Sequence, residues 1–546
     1  MKHRAIKRRN VVIGIGATAG TAAVGGVALN ASASTAGSTT SSDSSLVFDP
    51  DAFTKLTTTV TDTEGTEHSV TYHFWKAITY VSKPVDETYQ SLNVSVPVEI
   101  DGTAVDASDA PILFANSVGG YMPSSVADAT GIGGGGMSGG AGGGAPSGAP
   151  TASPSASATA PGANGNTNAT GGAMNTNQML ALAAGYVVVE PGARGRTLKN
   201  SAGEYYGTAP AAIVDLKAAV RYVKSNKGRI PGDVERIVSA GTSAGGALSS
   251  LLGASGDSPL YDKYLEEIGA ADASDAIFAT GAWCPIIDLE HADAAYEWNW
   301  GTNVTASTGK VVDQTLSKEF QSQFAEYQAK LKLRGLKGSG FGTLTARNYD
   351  DYLVKQYLEP SATTYLAALP DSDRATYLAA NTFITWKNGR ATFTWADFLT
   401  HVGARKKTAP AFDPFDLSSG ENNEFGAGTT EARHFTAYGA KNDTTGLSTK
   451  RVASDIPEKL NLMNPMYHLV EKANSKRSKH WWIRLGTKDS DTSLTIAANL
   501  AAGAGNLGDN VNHLYYWDQG HGANTDPGDF ITWIAKVTGY KKARKK

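Results

Sequence analysis

Three stretches of this sequence carry residues whose types and order suit nucleophilic acyl transfer. Residues 241–245 read Gly-Thr-Ser-Ala-Gly, which puts Ser243 between glycines directly after the apolar run Ile237-Val238-Ser239-Ala240. A serine hydroxyl does not ionise at neutral pH, so it needs a general base, and the base needs an acid to orient it. His521 stands in Asp518-Gln519-Gly520-His521-Gly522, and Asp489 and Asp491 stand two apart in Thr487-Lys488-Asp489-Ser490-Asp491. Asp489 is nearer the end of the preceding apolar run and is the expected triad acid. Asp491 is left for another partner or for capping a helix. An acyl-transfer site also needs two backbone N–H groups aimed at the developing oxyanion. Ala244, which follows the nucleophile, is expected to give one. The loop Val118-Gly119-Gly120-Tyr121 is expected to give the other, from Gly120, with Gly119 and Tyr121 as alternatives.

These residues work only if strands and helices bring them together. A strand, a G-x-S-x-G turn and a helix make a nucleophile elbow, and the order serine, acid, histidine goes with that architecture. The pattern around Ser243 satisfies it. The run APILFANSVGGYM, which ends in glycines, and short apolar runs at 185–189 and 236–240 read as buried strands, as a parallel sheet requires. The segment APAAIVDLKAAVRYVKSN between the last two reads as an amphipathic helix. Of the histidines beyond Ser243, only His521 follows a strand on a glycine-flanked loop. His291 and His434 fall in or at the start of a helix-rich insertion. His401 and His468 sit in amphipathic surroundings, and His480 and His513 begin strands. The fold class expected is therefore α/β: a doubly wound, mostly parallel sheet of the α/β-hydrolase type with an inserted helix-rich lid.

The chain has 546 residues and a formal net charge of -3, which gives no bulk attraction to nucleic acid. Its one cysteine, Cys284, lies in the apolar stretch Trp283-Cys284-Pro285-Ile286-Ile287 and reads as a buried, inert thiol. No intramolecular disulfide and no multi-cysteine metal site can form. The expected organisation starts with an export signal at 1–33, where a basic start with Arg8-Arg9 precedes a Gly/Ala-rich core. An uncleaved membrane anchor is the alternative. A spacer at 34–46 follows, then the first part of the hydrolase core at 47–289. Within it, residues 122–175 are rich in Gly, Ala, Pro and Ser and read as a disordered insertion. The lid is expected at 290–465 and the second part of the core at 466–540. The basic tail at 541–546 reads as frayed, with weak contact to anionic envelope polymers or lipids as a further option.

Several stretches together resemble the bacterial tannases of the α/β-hydrolase superfamily, the disulfide-free type related to feruloyl esterases. They are NSVGGYM, EPGARGR, GTSAGGAL, CPIIDLEHADAAYEWNW, SSGENNEFG, LGTKDSDTSL and YYWDQGHGANTD. The fungal tannase type uses paired cysteines beside its serine and histidine, and here Thr242 and Gly520 occupy those places. The resemblance implies hydrolysis of galloyl esters with the triad on Ser243, Asp489 and His521. It also implies that Asp491, Glu421 and Lys407 hold the galloyl hydroxyls, with Lys406 adjacent to the last. It implies no metal and no other cofactor. Carboxylates accept vicinal phenol hydroxyls and an ammonium donates to a phenol oxygen, so such a set is chemically apt. Alternatives on the same scaffold are a feruloyl or other aryl carboxylesterase acting on hydroxycinnamoyl esters, and, more distantly, a surface binding protein without turnover.

Overall fold

The structure is a computed structural model that describes residues 46–137, 171–541 and 543–544. The expected export signal and most of the spacer lie outside these residues. Nine strands lie on one continuous path: β1 (Thr54–Thr61), β2 (Glu67–Thr79), β3 (Ser91–Ile100), β4 (Pro111–Ala115), β5 (Val187–Pro191), β6 (Asp233–Thr242), β7 (Ala279–Trp283), β8 (His480–Gly486) and β9 (Asn510–Tyr516). Their spatial order is β1-β2-β3-β5-β4-β6-β7-β8-β9. The first three strands are antiparallel, and every pairing from β5 to β9 is parallel. The central strands β4, β5 and β7 are buried along their whole length, as continuous apolar runs in a parallel sheet must be. The outer strand β1 is largely exposed.

Helices α1 (Gly171–Ala183), α2 (Ala211–Ser225) and α3 (Ala244–Ala254) belong to the first part of the core. The chain then leaves the sheet at the end of β7 and returns at His480. Between these points lie α4 (Leu289–Trp300), α5 (Gln314–Leu331), α6 (Asp371–Ala380), α7 (Trp395–Val402), α8 (Gly420–Glu424) and several further helices. This is the helix-rich insertion, and α4, which opens it, is pinned back to the core. Trp300 Nε1 donates to Thr492 O at 2.8 Å, and Tyr296 Oη donates to Ser490 O at 2.7 Å. Helices α9 (Leu494–Asn506) and α10 (Pro527–Thr538) complete the core, with α10 packed on α1 and α2 on α3.

Two expectations about glycine-rich and terminal segments need correcting. Residues 122–137 are not featureless: Ser124–Ser125 pairs with Gly136–Met137, and Ser124 exchanges backbone hydrogen bonds with Ala193. Val126 and Ala129 are buried, and the Glu190 carboxylate accepts from the Gly133 N–H at 3.0 Å. The glycines here allow close backbone approach. A Cβ on Gly134 would stand 3.0 Å from Gly131 O, and Gly133 sits at φ +74°. Helix α1 claims residues from 171 onward, so only 138–170 of the expected insertion lie outside the described residues. The basic tail also departs from the expected frayed end. Ala543–Arg544 pairs antiparallel with the short strand Thr103–Asp106 beside β3.

Candidate active site

Ser243 sits between β6 and α3 at φ 61°, ψ −121°, a conformation that costs a non-glycine residue roughly 1–3 kcal/mol. Packing on both sides holds it there. A Cβ on Gly241 would lie 2.3 Å from Gly245 O, and one on Gly245 would lie 2.6 Å from Asn116 Oδ1 and 2.7 Å from Val118 O. The G-x-S-x-G spacing is therefore a steric requirement of the turn. The Ser243 N–H donates to Trp283 O at 3.0 Å, and its carbonyl accepts the first intrahelical bond, from Ala247 N at 2.9 Å. The Ala244 N–H belongs to the first turn of α3, where no intrahelical acceptor exists.

The histidine and the acid arrive from the loops after β9 and β8. His521 Nε2 lies 2.9 Å from Ser243 Oγ, and His521 Nδ1 lies 2.8 Å from Asp489 Oδ2. Asp489 is fully buried, and its other oxygen accepts the Asp491 N–H at 2.9 Å. A chain from hydroxyl to imidazole to buried carboxylate can draw the proton off the serine and stabilise the resulting imidazolium. Burial disfavours charge on His521, but the hydrogen bond to the buried Asp489 carboxylate favours it and prevails. The imidazole pKa is raised above its ordinary value. The two loops are locked together: the Lys488 N–H donates to Gln519 O, and Gly486 has no room for a Cβ, which would stand 2.2 Å from Gln519 O.

Cys284 is buried as expected, and it is also a neighbour of this chain. Its Sγ lies 3.9 Å from His521 Nε2, and burial pushes the thiol pKa up, which keeps it protonated. Cys284, Asp489 and His521 together place metal-ligand atoms within 4.8 Å of one another. Both imidazole nitrogens are already engaged by Asp489 and Ser243, and the arrangement suits proton relay.

The loop expected to supply the second oxyanion donor lies directly on the elbow. Gly120 and Tyr121 are consecutive left-handed residues, both at φ 55°. Asn116, which sequence reasoning did not single out, fastens this loop to the nucleophile turn. Its Nδ2, with two N–H donors to share, lies 3.0–3.2 Å from three acceptors, Ala240 O, Gly245 O and Ser249 Oγ. Its signal in the sequence was a polar side chain at the C-terminal end of an apolar strand.

The three residues implied to hold galloyl hydroxyls fall on two sides of one tyrosine. Tyr296 Oη donates to Ser490 O and accepts from the Lys407 N–H at 3.2 Å, so the backbones carrying Asp491 and Lys407 are bridged through it. Lys407 Nζ lies 3.6 Å from Glu421 Oε1 and 3.5 Å from the centre of the Phe412 ring. Lys407 and Glu421 are thus brought together. Asp491 stands beside the triad, with Oδ2 4.0 Å from His521 Nδ1, but its ion-pair partner is Lys406, at 2.7 Å. Asp491 does not cap α9; Ser493 does, accepting from the Thr495 N–H. Glu421 is held by its neighbour Asn422, which closes a capping box with Ser419 and donates to buried Asp413 at 2.7 Å. Glu424, at the far end of α8, is buried, and neither of its oxygens has a hydrogen-bond partner among the described residues. Burial raises its pKa well above the carboxylate range.

A protein-family model described as BD-FAE matches residues 162–328, which carry Ser243 and run into the first helices of the insertion. Among solved structures, the chain is similar to a tannin acyl hydrolase in complex with 3,4-dihydroxybenzoate. The identity is 35%, the match covers 90% of this chain and 99% of that one, and the TM-score is 0.73. The tannase of Fusobacterium nucleatum and the native tannin acyl hydrolase of Lactobacillus plantarum each match at 34% identity and TM-score 0.72, with the same coverage of both chains. A further tannin acyl hydrolase structure contains ethyl gallate. No curated protein matches the chain.

Proposed function

The chain belongs to the bacterial tannase family and is a carboxylic ester hydrolase of the α/β-hydrolase fold, and from that premise we propose that it hydrolyses galloyl esters through a galloyl-serine intermediate. Ser243 Oγ attacks the ester carbonyl carbon while His521 Nε2 takes the hydroxyl proton. Asp489 orients the imidazole and stabilises the imidazolium. The Ala244 N–H and the N–H groups of the Gly120 loop receive the negative charge on the carbonyl oxygen. The tetrahedral adduct collapses, the C–O bond to the alcohol breaks, and His521 returns its proton to the leaving oxygen. Water then adds to the acyl-serine carbonyl by the same route, releasing gallic acid and restoring the Ser243 hydroxyl.

The observation that carries this reading is the unbroken chain Ser243–His521–Asp489, with Asp491 two residues beyond the acid and its Oδ2 4.0 Å from His521 Nδ1. Asp491, Glu421 and Lys407 are the proposed partners of the phenol hydroxyls. When they are desolvated around substrate, an acyl group lacking those hydroxyls leaves charged groups unpaired, which supports discrimination by orders of magnitude. Rates on methyl gallate, methyl ferulate and p-nitrophenyl acetate test the proposal. A strong preference for methyl gallate, abolished by Ser243→Ala, is expected. Equal turnover of all three esters overturns it.

The match to the BD-FAE family model favours a second reading, in which hydroxycinnamoyl esters are the preferred substrates. The same three-ester comparison decides between them. Export is part of the proposal. It is supported by the basic, then Gly/Ala-rich, first thirty-three residues. Activity confined to the cytoplasmic fraction of an expressing cell would refute it. Among the described residues no helix is long and apolar enough to cross a membrane.

A further inference from the structure

We propose that Arg196 is a positioning residue that fixes the oxyanion loop and couples it to α8, the helix carrying Glu421. The inference rests on the proposed acyl-transfer role of that loop. Gly120 and Tyr121 are two left-handed residues in succession, and such a backbone persists only where the surrounding structure holds it. The peptide joining Gly119 and Gly120 is held within the loop, where Gly119 O accepts from the Met122 N–H at 2.9 Å. The next peptide is held by Arg196: Nε donates to Gly120 O at 2.8 Å. In a trans peptide the N–H points opposite the carbonyl, so this bond aims the Tyr121 N–H. The Arg196 backbone N–H donates to the following carbonyl, Tyr121 O, at 2.9 Å. One residue thus grips both left-handed carbonyls.

The other end of the guanidinium reaches the insertion. Nη1 donates to Asn423 Oδ1 at 2.8 Å, and the guanidinium lies so close to Gly420 that a Cβ there would stand 2.9 Å from Nη2. Asn423 and Gly420 flank Glu421 on α8. A planar fork with several donors can serve both sides at once, which a lysine ammonium on a flexible stem cannot.

Arg196 has a rigid base for this work. Two residues earlier, Arg194 is buried against Asp215 of α2, with its backbone N–H and its guanidinium both on that carboxylate. Gly195 lies against the oxyanion loop itself, since a Cβ would stand 2.2 Å from Pro123 N. Gly207 closes on Gly195 from behind, where a Cβ would stand 2.1 Å from the Gly195 carbonyl oxygen. The Gly-Ala-Arg-Gly-Arg segment is therefore a fixed post, and only the Arg196 side chain leaves it to bridge the site.

The two arms of Arg196 predict two different kinetic signatures. Arg196→Met should lower kcat on both p-nitrophenyl acetate and methyl gallate by about ten- to a hundredfold, the size expected for a small misplacement at the reacting centre. Added guanidinium should restore part of that loss. Asn423→Ala cuts only the α8 arm. It should leave kcat on p-nitrophenyl acetate within about twofold and raise KM for methyl gallate several-fold, consistent with the loss of uniform binding. Arg196→Lys should resemble Arg196→Met and serves as its replacement if Arg196→Met does not fold. The proposal is overturned if both Arg196 variants keep full kcat on p-nitrophenyl acetate. It is overturned equally if their loss resists guanidinium rescue and tracks a lowered Tm, because that marks a merely structural role. Ser243→Ala, assayed alongside, separates this outcome from failure of the acyl-transfer reading: retained activity there refutes the reading itself.

Discussion

His401 Nε2 lies 2.6 Å from Asp518 Oδ1, so a helix of the insertion is joined directly to the loop that carries His521. Asp518 also accepts from Tyr377 Oη of α6, and Lys488 Nζ of the acid loop lies 3.0 Å away. Its backbone sits at φ 58°, and its N–H donates to Thr487 Oγ1 at 2.8 Å. One carboxylate thus gathers two insertion helices and the loops that position both His521 and Asp489. Burial raises its pKa, but the His401 and Tyr377 bonds outweigh that and hold it down, at about 2. Asp518→Ala should cost about 3 kcal/mol, because it strips a mostly buried cluster of the carboxylate that joins it. Thermal denaturation checks this, and an unchanged Tm refutes it. The sign of the pH dependence follows from the lowered pKa. The stabilisation is present above the ordinary aspartate value near 4 and is lost as pH falls towards about 2.

The raised pKa of His521 makes a second prediction, about activity. Only the neutral imidazole can take the Ser243 proton, so kcat/KM should fall as pH drops through that pKa. The limb should lie above the ordinary histidine value near 6.5. Asp489→Asn removes the group that favours the charged ring. It should move the limb to lower pH and lower kcat by up to about 10⁴-fold. A limb that stays in place in Asp489→Asn excludes the Asp489 bond as its cause. Stability runs the other way. The imidazolium–carboxylate pair contributes fully below the unfolded-state pKa and is lost as pH rises through the raised folded one, so alkaline conditions favour turnover while weakening this contact.

How much of this was legible in the sequence follows from how far apart the partners lie. The elbow was readable because its parts are adjacent: a strand, two glycines and a serine within a few residues. The acid and the histidine were readable because strand rhythm says which loop each must occupy, and chain order says which comes first. Arg196, Asn116 and Asp518 were not readable as parts of the site. Arg196 is separated from Asn423 by 227 positions, Asn116 from Gly245 by 129 and Asp518 from His401 by 117, and no local pattern registers such pairings. Residues 122–137 misled for a different reason. Close backbone packing selects glycine, and a run of glycines has the same lack of periodicity as a disordered linker. The lysine register was ambiguous because the two lysines are adjacent and no motif fixes it; in the structure each meets a different carboxylate, Lys406 that of Asp491 and Lys407 that of Glu421.

Gly245 makes the steric argument for the elbow testable. Gly245→Ala would drive a methyl group to within 2.6 Å of Asn116 Oδ1 and 2.7 Å of Val118 O. Neither is the tip of a flexible chain: the Asn116 amide is fixed by the acceptors around its Nδ2, and Val118 O is backbone. The variant should lose about 1–3 kcal/mol of stability from overpacking. It should also lose most of its kcat, since the contact pushes the Val118–Tyr121 loop, the proposed source of an oxyanion donor, off the elbow. Asn116→Ala removes the clamp without the clash, and should cost a comparable amount by leaving buried Gly245 O and Ser249 Oγ short of a donor. Urea denaturation with parallel kinetics measures both effects. A Gly245→Ala enzyme of wild-type stability and kcat would show that the glycine is not sterically required.

The two adjacent lysines should separate cleanly on substitution. Lys406 is 62% exposed at its side chain where it pairs with Asp491, whereas Lys407 is 20% exposed where it meets Glu421 and lies over Phe412. A well-exposed ion pair is screened and contributes from nothing to about 1 kcal/mol. In the proposed complex the sheltered Lys407 ammonium donates a charge-assisted bond to a phenol oxygen, and its loss leaves Glu421 without the cation 3.6 Å away. Lys407→Met should therefore raise KM for methyl gallate by roughly tenfold or more, the equivalent of one charged hydrogen bond. Lys406→Met should change it by less than about fivefold, and should weaken further as salt screens the wild-type pair. Rates on p-nitrophenyl acetate, which has no galloyl hydroxyls, should be unaffected by either change. If Lys406→Met gives the larger rise in KM, then the lysine that meets the acyl group is the one paired with Asp491, and Lys407 serves only to hold Glu421 in place.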